Sequence, residues 1–386
     1  MPKPKLVRIT TIPLSLEKLL EGQLAYMQNY YDVIAVSAEK ERLQALGMAE
    51  GVRTKYIELT RKITPLKDIS AVYTLYKFLK EEKPEIVHSH TPKAGIVGML
   101  AAYFARVPHR LHTVAGLPLM EATGLKRTIL NFVEKLTYSC ATKVYPNSKG
   151  LKDFIVSENF TKLSKLKIIG QGSSNGIDTT YFSNGQFTEM QILQKKNELD
   201  IPESDFVFVF VGRLVKDKGI NELVEAFVSL QLLKSDCTLL LVGPFEDALD
   251  PVLPKTKQCI EEHPKIKAVG FQQDVRLFFA TSDALVFPSY REGFPNVVLQ
   301  AGAMGLPAIV TDINGCNEII TNGENGLLVS AKETTSLSKS MHRVLTDQKL
   351  FETMKINARS IITKRYERKE IWQLLLEEYE TLETNT

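Results

Sequence analysis

Short β-rich runs, most of them apolar, alternate with helical patterns along the whole chain. In the first half the runs are residues 6–10, 33–37, 53–58, 86–89, 110–114, 143–146 and 167–169. Stretches with helical periodicity, such as 68–82 and 125–140, lie between them. Strands that read as continuous apolar runs are buried on both faces, so the pattern predicts a parallel sheet sandwiched by helices. The pattern then restarts. Residues 206–212 (FVFVFVG) are the strongest strand, followed by helix 220–233, strands 238–243, 266–270 and 284–288, helix 295–304 and strand 307–311. The junction near 181–186 has turn chemistry in Ser183, Asn184 and Gly185. The tail, 335–382, reads as successive helices with Trp372, Leu375, Leu376 and Tyr379 on one apolar stripe.

The expected fold class is therefore α/β, with two doubly wound Rossmann-like domains facing across a cleft where ligands bind at the carboxyl ends of the strands. The expected boundaries are 1–183, 184–368 and a final helix over 369–386.

The length of 386 residues fits two or three domains. A hydrophobic content of 44% and a charged content of 24% exclude a disordered chain. The longest apolar run, 94–105, has 12 residues, short of the ~20 a bilayer span requires. Lys3, Lys5 and Arg8 precede no apolar signal core, which argues against export. Cys140, Cys237, Cys259 and Cys316 are scattered, so neither a disulfide framework nor a cysteine zinc site is expected, and a reducing cytosol fits. Charge is polarised. Residues 1–185 carry 26 Lys+Arg against 16 Asp+Glu, a net +10, and the remainder is −7. Either the first half faces something anionic, nucleic acid or a membrane leaflet, or two solvated surfaces differ by chance. Nucleic acid is the weakest of these, because the basic residues lack interleaved aromatics and no recognition motif occurs.

Two loops have chemical potential. Gly212-Arg213-Leu214-Val215-Lys216-Asp217-Lys218-Gly219 follows a strand and precedes a helix. Glycine frees the backbone, the helix start offers unpaired N–H groups, and Arg213 and Lys218 add positive charge, an assembly suited to a diphosphate. It is not a Walker loop, and no GxGxxG occurs. The plain alternative is a basic turn at a helix start. The second loop runs from Pro288 to Ala301 (PSYREGFPNVVLQA). Gly293 permits close backbone approach, Pro295 pre-sets a helix, and the amides of Phe294, Asn296 and Val297 would point into the cleft. Glu292 and Gln300 are placed to meet sugar hydroxyls. The plain alternative is an acidic helix start followed by an exposed glutamine.

In order along the chain, Gly-Arg-x4-Lys-Gly (212–219), Leu-Val-Gly-Pro (241–244), Val-Gly-Phe (269–271) and Pro-Ser-x2-Glu-Gly-Phe-Pro (288–295) resemble retaining glycosyltransferases of family 4. Residues 87–95 (VHSHTPKAG), 112–116 (HTVAG) and 175–178 (NGID) resemble the branch that builds capsules and other bacterial surface polysaccharides. The resemblance implies the GT-B fold, a nucleotide-sugar donor on the second domain, an acceptor on the first, and a last helix returning to the first. It implies Glu292, Arg213 and Lys218 as catalytic residues. It implies donor contacts from Gly212, Gly270, Phe271, Gly293, Phe294, Pro295, Asn296, Val297 and Gln300.

Two positions depart from the family pattern. Gln300 stands where a ribose-binding glutamate is usual, and Ala115 stands where many members have histidine near the donor sugar. His112 lies three residues before Ala115, on the opposite face of a strand. His88 and His90 share a strand face; they are read as substrate contacts or as structural histidines, and no third ligand nearby favours a metal. Lys93 at the following helix start is positioned to meet an anion. His88, His90, Lys93, His112 and Asn175 are the candidate acceptor or sugar contacts. His109, His263 and His342 read as surface residues.

The combined expectation is a cytosolic hexosyltransferase that needs no metal or cofactor and transfers with retention. Its donor is a nucleotide-sugar, UDP by resemblance. Its acceptor is a polyprenyl-diphosphate-linked saccharide at the inner face of the membrane, with anionic lipid as a landing surface. The alternatives are a UDP-sugar 2-epimerase of the same architecture, which needs in-cleft acid and base carboxylates, and a non-catalytic scaffold.

Overall fold

The computed structural model describes residues 2–60, 64–246, 248 and 250–384. The chain divides into two compact units, one running to Asn175 and resuming at Arg368, the other Gly176–Glu367. The first unit has six parallel strands: β1 (Lys5–Ile9), β2 (Asp32–Ser37), β3 (Arg53–Tyr56), β4 (Ile86–His90), β5 (His109–Val114) and β6 (Lys143–Pro146). Their order is β3-β2-β1-β4-β5-β6. The run at 167–169 adds no strand; only Leu166 bridges Val144 before Gly170, at φ +57°, turns the chain away.

Every residue of β4 is buried, as a strand covered on both faces must be. The apolar run at 94–105 forms the helix Pro92–Ala105, packed between the helices Pro65–Glu82 and Gly124–Cys140. Its Ala94, Val97, Met99, Ala101 and Ala102 are core residues. No helix among the described residues is long and apolar enough to cross a membrane. His109, expected at the surface, is buried, because β5 begins there and pairs it with Ile86.

The final helix, Arg368–Thr384, belongs to this first unit. Its Leu375, Leu376 and Tyr379 cluster with Leu6, Ile86, Leu111 and Tyr145. The chain leaves the first unit at Asn175, before the 183/184 junction expected from the turn residues. Ile177 and Phe182 already pack in the second core, and the Ile177 N–H donates to Tyr366 O at 2.8 Å.

The second unit repeats the plan with β7 (Phe206–Val211), β8 (Cys237–Val242), β9 (Ile266–Ala268), β10 (Ala284–Phe287), β11 (Ala308–Thr311) and β12 (Gly326–Val329). The order β12-β11-β10-β7-β8-β9 is the same doubly wound sequence of crossovers. Each sheet therefore reverses its winding once, between β1 and β4 in the first unit and between β7 and β10 in the second. At such a point the connections diverge to opposite faces and leave a crevice beyond the carboxyl ends.

Candidate functional site

The two loops singled out in the sequence leave the second unit's sheet from β7 and β10, on either side of its switch point. After β7, Gly212 takes φ +153°, and the chain passes Arg213 into a short turn, Lys216–Lys218. Gly219, at φ +71°, then starts the helix Ile220–Gln231. A Cβ at Gly219 would lie 2.2 Å from Pro288 O, so the loops touch through backbone. This contact brings Lys218 to Glu292, and the two form an ion pair with side chains 17% and 15% exposed. Arg213, about half exposed, pairs instead with Glu246 beyond β8.

The β10 loop is braced from several sides. Asn314 Nδ2 donates to Glu292 O at 3.0 Å and to Gly293 O at 2.8 Å. Gly315 must lack a side chain, since its Cβ would meet Gly293 O at 2.4 Å. Tyr290 donates to Glu222 Oε1 at 2.7 Å, and Arg291 pairs with Asp217 at 3.0 Å. Pro295 caps the helix Asn296–Ala303, whose first-turn amides have no intrahelical acceptor. Phe294 is buried against the Tyr366 ring, Asn296 is exposed, and Val297 and Gln300 are half-buried. Gly270 takes φ +66° with open space about it, and Phe271 beside it is exposed beyond the edge strand β9. Burial, then the charge of Glu292, pushes the Cys316 thiol well up, so it stays protonated and is no nucleophile.

The first unit's switch point carries a buried polar network. His88 and His90 do share a face, with ring centroids 4.3 Å apart. Arg8 on β1 is wholly buried, and no carboxylate among the described residues pairs with it. It donates to Tyr379 Oη at 3.1 Å, to Gln23 Oε1 at 2.5 Å and to His90 Nε2 at 2.9 Å. Tyr379 Oη, which accepts from Arg8, also lies within hydrogen-bond distance of His88 Nδ1, at 2.6 Å. His88 Nε2 shares a hydrogen bond with Thr113 Oγ1 at 2.7 Å, so the imidazole is held at both nitrogens. Burial, and after it the neighbouring positive charge, holds both histidines well below the usual range, so they are neutral at pH 7. His88, His90, Thr113 and Asn147 line a cavity of about 20 Å³.

The remaining candidates do not join that cavity. His112 lies on the other face of the sheet, hydrogen-bonded to Ser89 Oγ at 2.9 Å, packed on Gly95 and lowered to about 4 by burial. Lys93 pairs with Asp68 at 2.5 Å. Asn175 accepts from Trp372 Nε1 at 2.6 Å and from Gln23 Nε2 at 3.0 Å, which anchors the last helix.

Sequence reasoning missed Arg8, Asn314, Gly315 and Tyr379. None stands in a motif, and Arg8 and Tyr379 meet across 371 positions. Among the described residues no three His, Cys, Asp or Glu side chains cluster as a metal ion would require.

Doubly wound sheets with charged loops at the switch point are a recurrent nucleotide-binding plan, and family comparison narrows the class. Residues 191–361 match the glycosyl transferases group 1 family, and residues 18–148 match the glycosyl transferase 4-like family. The chain belongs to this family of glycosyltransferases, with the GT-B fold. Among its relatives is the capsular polysaccharide biosynthesis glycosyltransferase CapM of Staphylococcus aureus. The two are 30% identical over 382 residues, 99% of this chain and 98% of CapM. A second is the Escherichia coli UDP-Gal:alpha-D-GlcNAc-diphosphoundecaprenol alpha-1,3-galactosyltransferase, 30% identical over 82% of this chain and 81% of that one. Among solved structures, Anabaena HepE in complex with UDP and glucose matches 98% of this chain and 100% of its own, at a TM-score of 0.80 and 18% identity.

Proposed function

We propose that this glycosyltransferase moves a sugar from a UDP-sugar to a lipid-diphosphate-linked saccharide in surface-polysaccharide synthesis, with retention and without a metal. The observation that carries the reading is the Lys218–Glu292 pair at the switch point, on the loop that leads into the helix Asn296–Ala303. Breaking a bond between sugar and phosphate builds negative charge on the diphosphate and positive charge on the sugar carbon. Arg213, Lys218 and the first-turn amides are preorganised to meet the former, which is the work a metal does elsewhere. Glu292 stands beside Lys218 to hold the sugar and steady the latter, and no base is assigned, because the leaving phosphate can take the acceptor proton. The acceptor class is carried over from the E. coli relative.

The test is a panel of UDP-, GDP- and ADP-sugars, first by thermal shift and then by initial rates on extracted lipid-linked saccharides in excess EDTA. A bound donor raises the unfolding temperature by mass action. Turnover on a lipid-linked acceptor, undiminished by EDTA and giving a product with the donor's anomeric configuration, is expected. Loss of activity in EDTA with rescue by Mg²⁺ or Mn²⁺ removes the metal-free mechanism. Donor conversion without acceptor points to an epimerase, and UDP binding without turnover on any acceptor points to a scaffold.

Gln300 separates nucleotide binding from chemistry. It lies about one turn into the helix that starts after Pro295, where a ribose would sit. Gln300→Ala weakens UDP binding by roughly 1–3 kcal/mol if a desolvated hydrogen bond is lost, and Gln300→Glu is tolerated. Calorimetry with UDP reads both; an unchanged affinity in Gln300→Ala removes the ribose contact.

A further inference from the structure

We propose that the outer faces of the helices Pro65–Glu82 and Gly124–Cys140 form a membrane-docking surface that seats the first unit on an anionic lipid bilayer. These helices flank the buried helix Pro92–Ala105 in one layer, each running back from the carboxyl edge of the sheet. Both carry the same gradient. On the first, Leu66, Ile69 and Tyr73 form an exposed stripe at helical spacing, continued by Lys77 and Lys80. On the second, Leu125, Ile129 and Phe132 form the stripe, continued by Lys135. Leu66 is 85% exposed and Leu125 is 77% exposed, left uncovered by the described residues.

A solvated helix face does not normally place its largest apolar side chains outward, and here two helices do so, each in its N-terminal half. Apolar side chains leading and lysines following is the arrangement of an interfacial helix pair. The leucines, isoleucines and phenylalanine enter the headgroup and acyl boundary, and the ammonium groups stay at phosphate level. Tyr73, with Lys77 Nζ 4.5 Å from its ring centroid, suits the interface itself.

Charge selects the occupant. Lys77, Lys80 and Lys135 have no ion pair among the described residues. On the same helices Asp68 is paired with Lys93, Glu82 is paired with Lys5 and Arg53, and Glu134 is buried, so the exposed Glu81 is outnumbered by the three lysines. The first unit as a whole holds 28 Lys+Arg against 20 Asp+Glu, whereas the second holds 20 against 25. An apolar surface rimmed by unpaired lysines on the basic unit complements an anionic leaflet. Because the apolar ends lie at the carboxyl edge, docking brings the ligand-binding end of this sheet to the lipid surface. The inference rests on the lipid-linked acceptor for its purpose, but it is tested without acceptor or donor, so the two fail separately.

The experiment is cosedimentation of the full chain with vesicles of phosphatidylcholine, with and without phosphatidylglycerol. Salt is raised through the range in which the screening length falls from about 30 Å to about 10 Å. Expected are binding to the mixed vesicles, weaker binding to phosphatidylcholine alone, and partial release by salt. The double variant L125S/F132S, altered only at exposed positions, binds the mixed vesicles at least about tenfold more weakly with its unfolding temperature preserved. The triple variant K77Q/K80Q/K135Q loses the preference for phosphatidylglycerol and the salt dependence. Wild-type binding by L125S/F132S, or no binding at low salt, overturns the proposal. Self-association of the wild type without vesicles that L125S/F132S abolishes also overturns it, by assigning the surface to a second copy.

Discussion

Replacing Lys218 by alanine is expected to lower kcat/KM by roughly 2–4 kcal/mol of transition-state stabilisation, the loss typical when one preorganised contact to a developing anion is removed. Folding should be far less affected. Arg213→Ala should cost activity in the same way, although its side chain is about half exposed and its present partner is Glu246. The structure adds a condition that the sequence did not reveal. Lys218 and Glu292 are partners, so neither can be altered alone without releasing the other. Glu292→Gln keeps the size and one acceptor but loosens Lys218 as well as removing the charge proposed to steady the sugar carbon. It should lower kcat strongly while leaving UDP affinity nearly intact, since UDP carries no donor sugar. The double variant should be less impaired than the two single losses combined, with a coupling of about 0.5–3 kcal/mol. Initial rates of the four proteins close the cycle. Additive effects would mean the pair does not act as a unit during turnover, and near-wild-type rates in Lys218→Ala would remove the phosphate assignment.

Gly219→Ala should destabilise the protein by roughly 2–5 kcal/mol, the sum of left-handed strain and enforced overpacking. At φ +71° the new methyl would lie 2.2 Å from Pro288 O and 2.9 Å from its carbonyl carbon, both backbone atoms with no rotamer to yield. The β7 and β10 loops would be forced apart, and Lys218 with them. Gly270→Ala is the control: its φ of +66° is similar, but no atom lies within 4 Å of its Cβ position. It should cost only about 1–2 kcal/mol, the strain alone. Urea unfolding of both variants measures the difference. If Gly219→Ala costs no more than Gly270→Ala, close contact is not what requires glycine there.

Local signals made much of this legible. Strands such as β7 and β10 announce themselves by unbroken apolar runs, and both charged loops follow them directly, so the second unit's candidate site rests on residues a few positions apart. The first unit's buried polar network does not. Arg8 sits in a run that reads as plain strand, and nothing local marks it as a buried cation held by neutral partners. His88 and His90 were legible as one face of a strand, but not their partners: His90 meets Arg8, and His88 meets Tyr379, which entered the sequence reading only as one apolar position on a helix. His112 was separated from Ala115 by strand alternation, yet its burial against Gly95 follows only from the packing of the next helix on the sheet. The early domain junction was missed because turn residues mark where a chain bends, whereas the boundary depends on which core takes Ile177 and Phe182.

The contact between Arg8 and Tyr379 also sets an order of assembly. The second unit is contiguous, Gly176–Glu367, and every contact in its core lies within that stretch. The first is not: its β1 leaves the ribosome before the second unit, but the helix that covers Leu6, Ile86 and Tyr145 is separated from it by the whole of that unit. Closing that core brings together positions hundreds of residues apart, the kind of contact that slows folding most. During synthesis the inserted unit can therefore finish first. The N-terminal sheet meanwhile waits with part of one apolar face uncovered and an arginine lacking one of its acceptors, a window of exposure in which a holding chaperone would find a substrate.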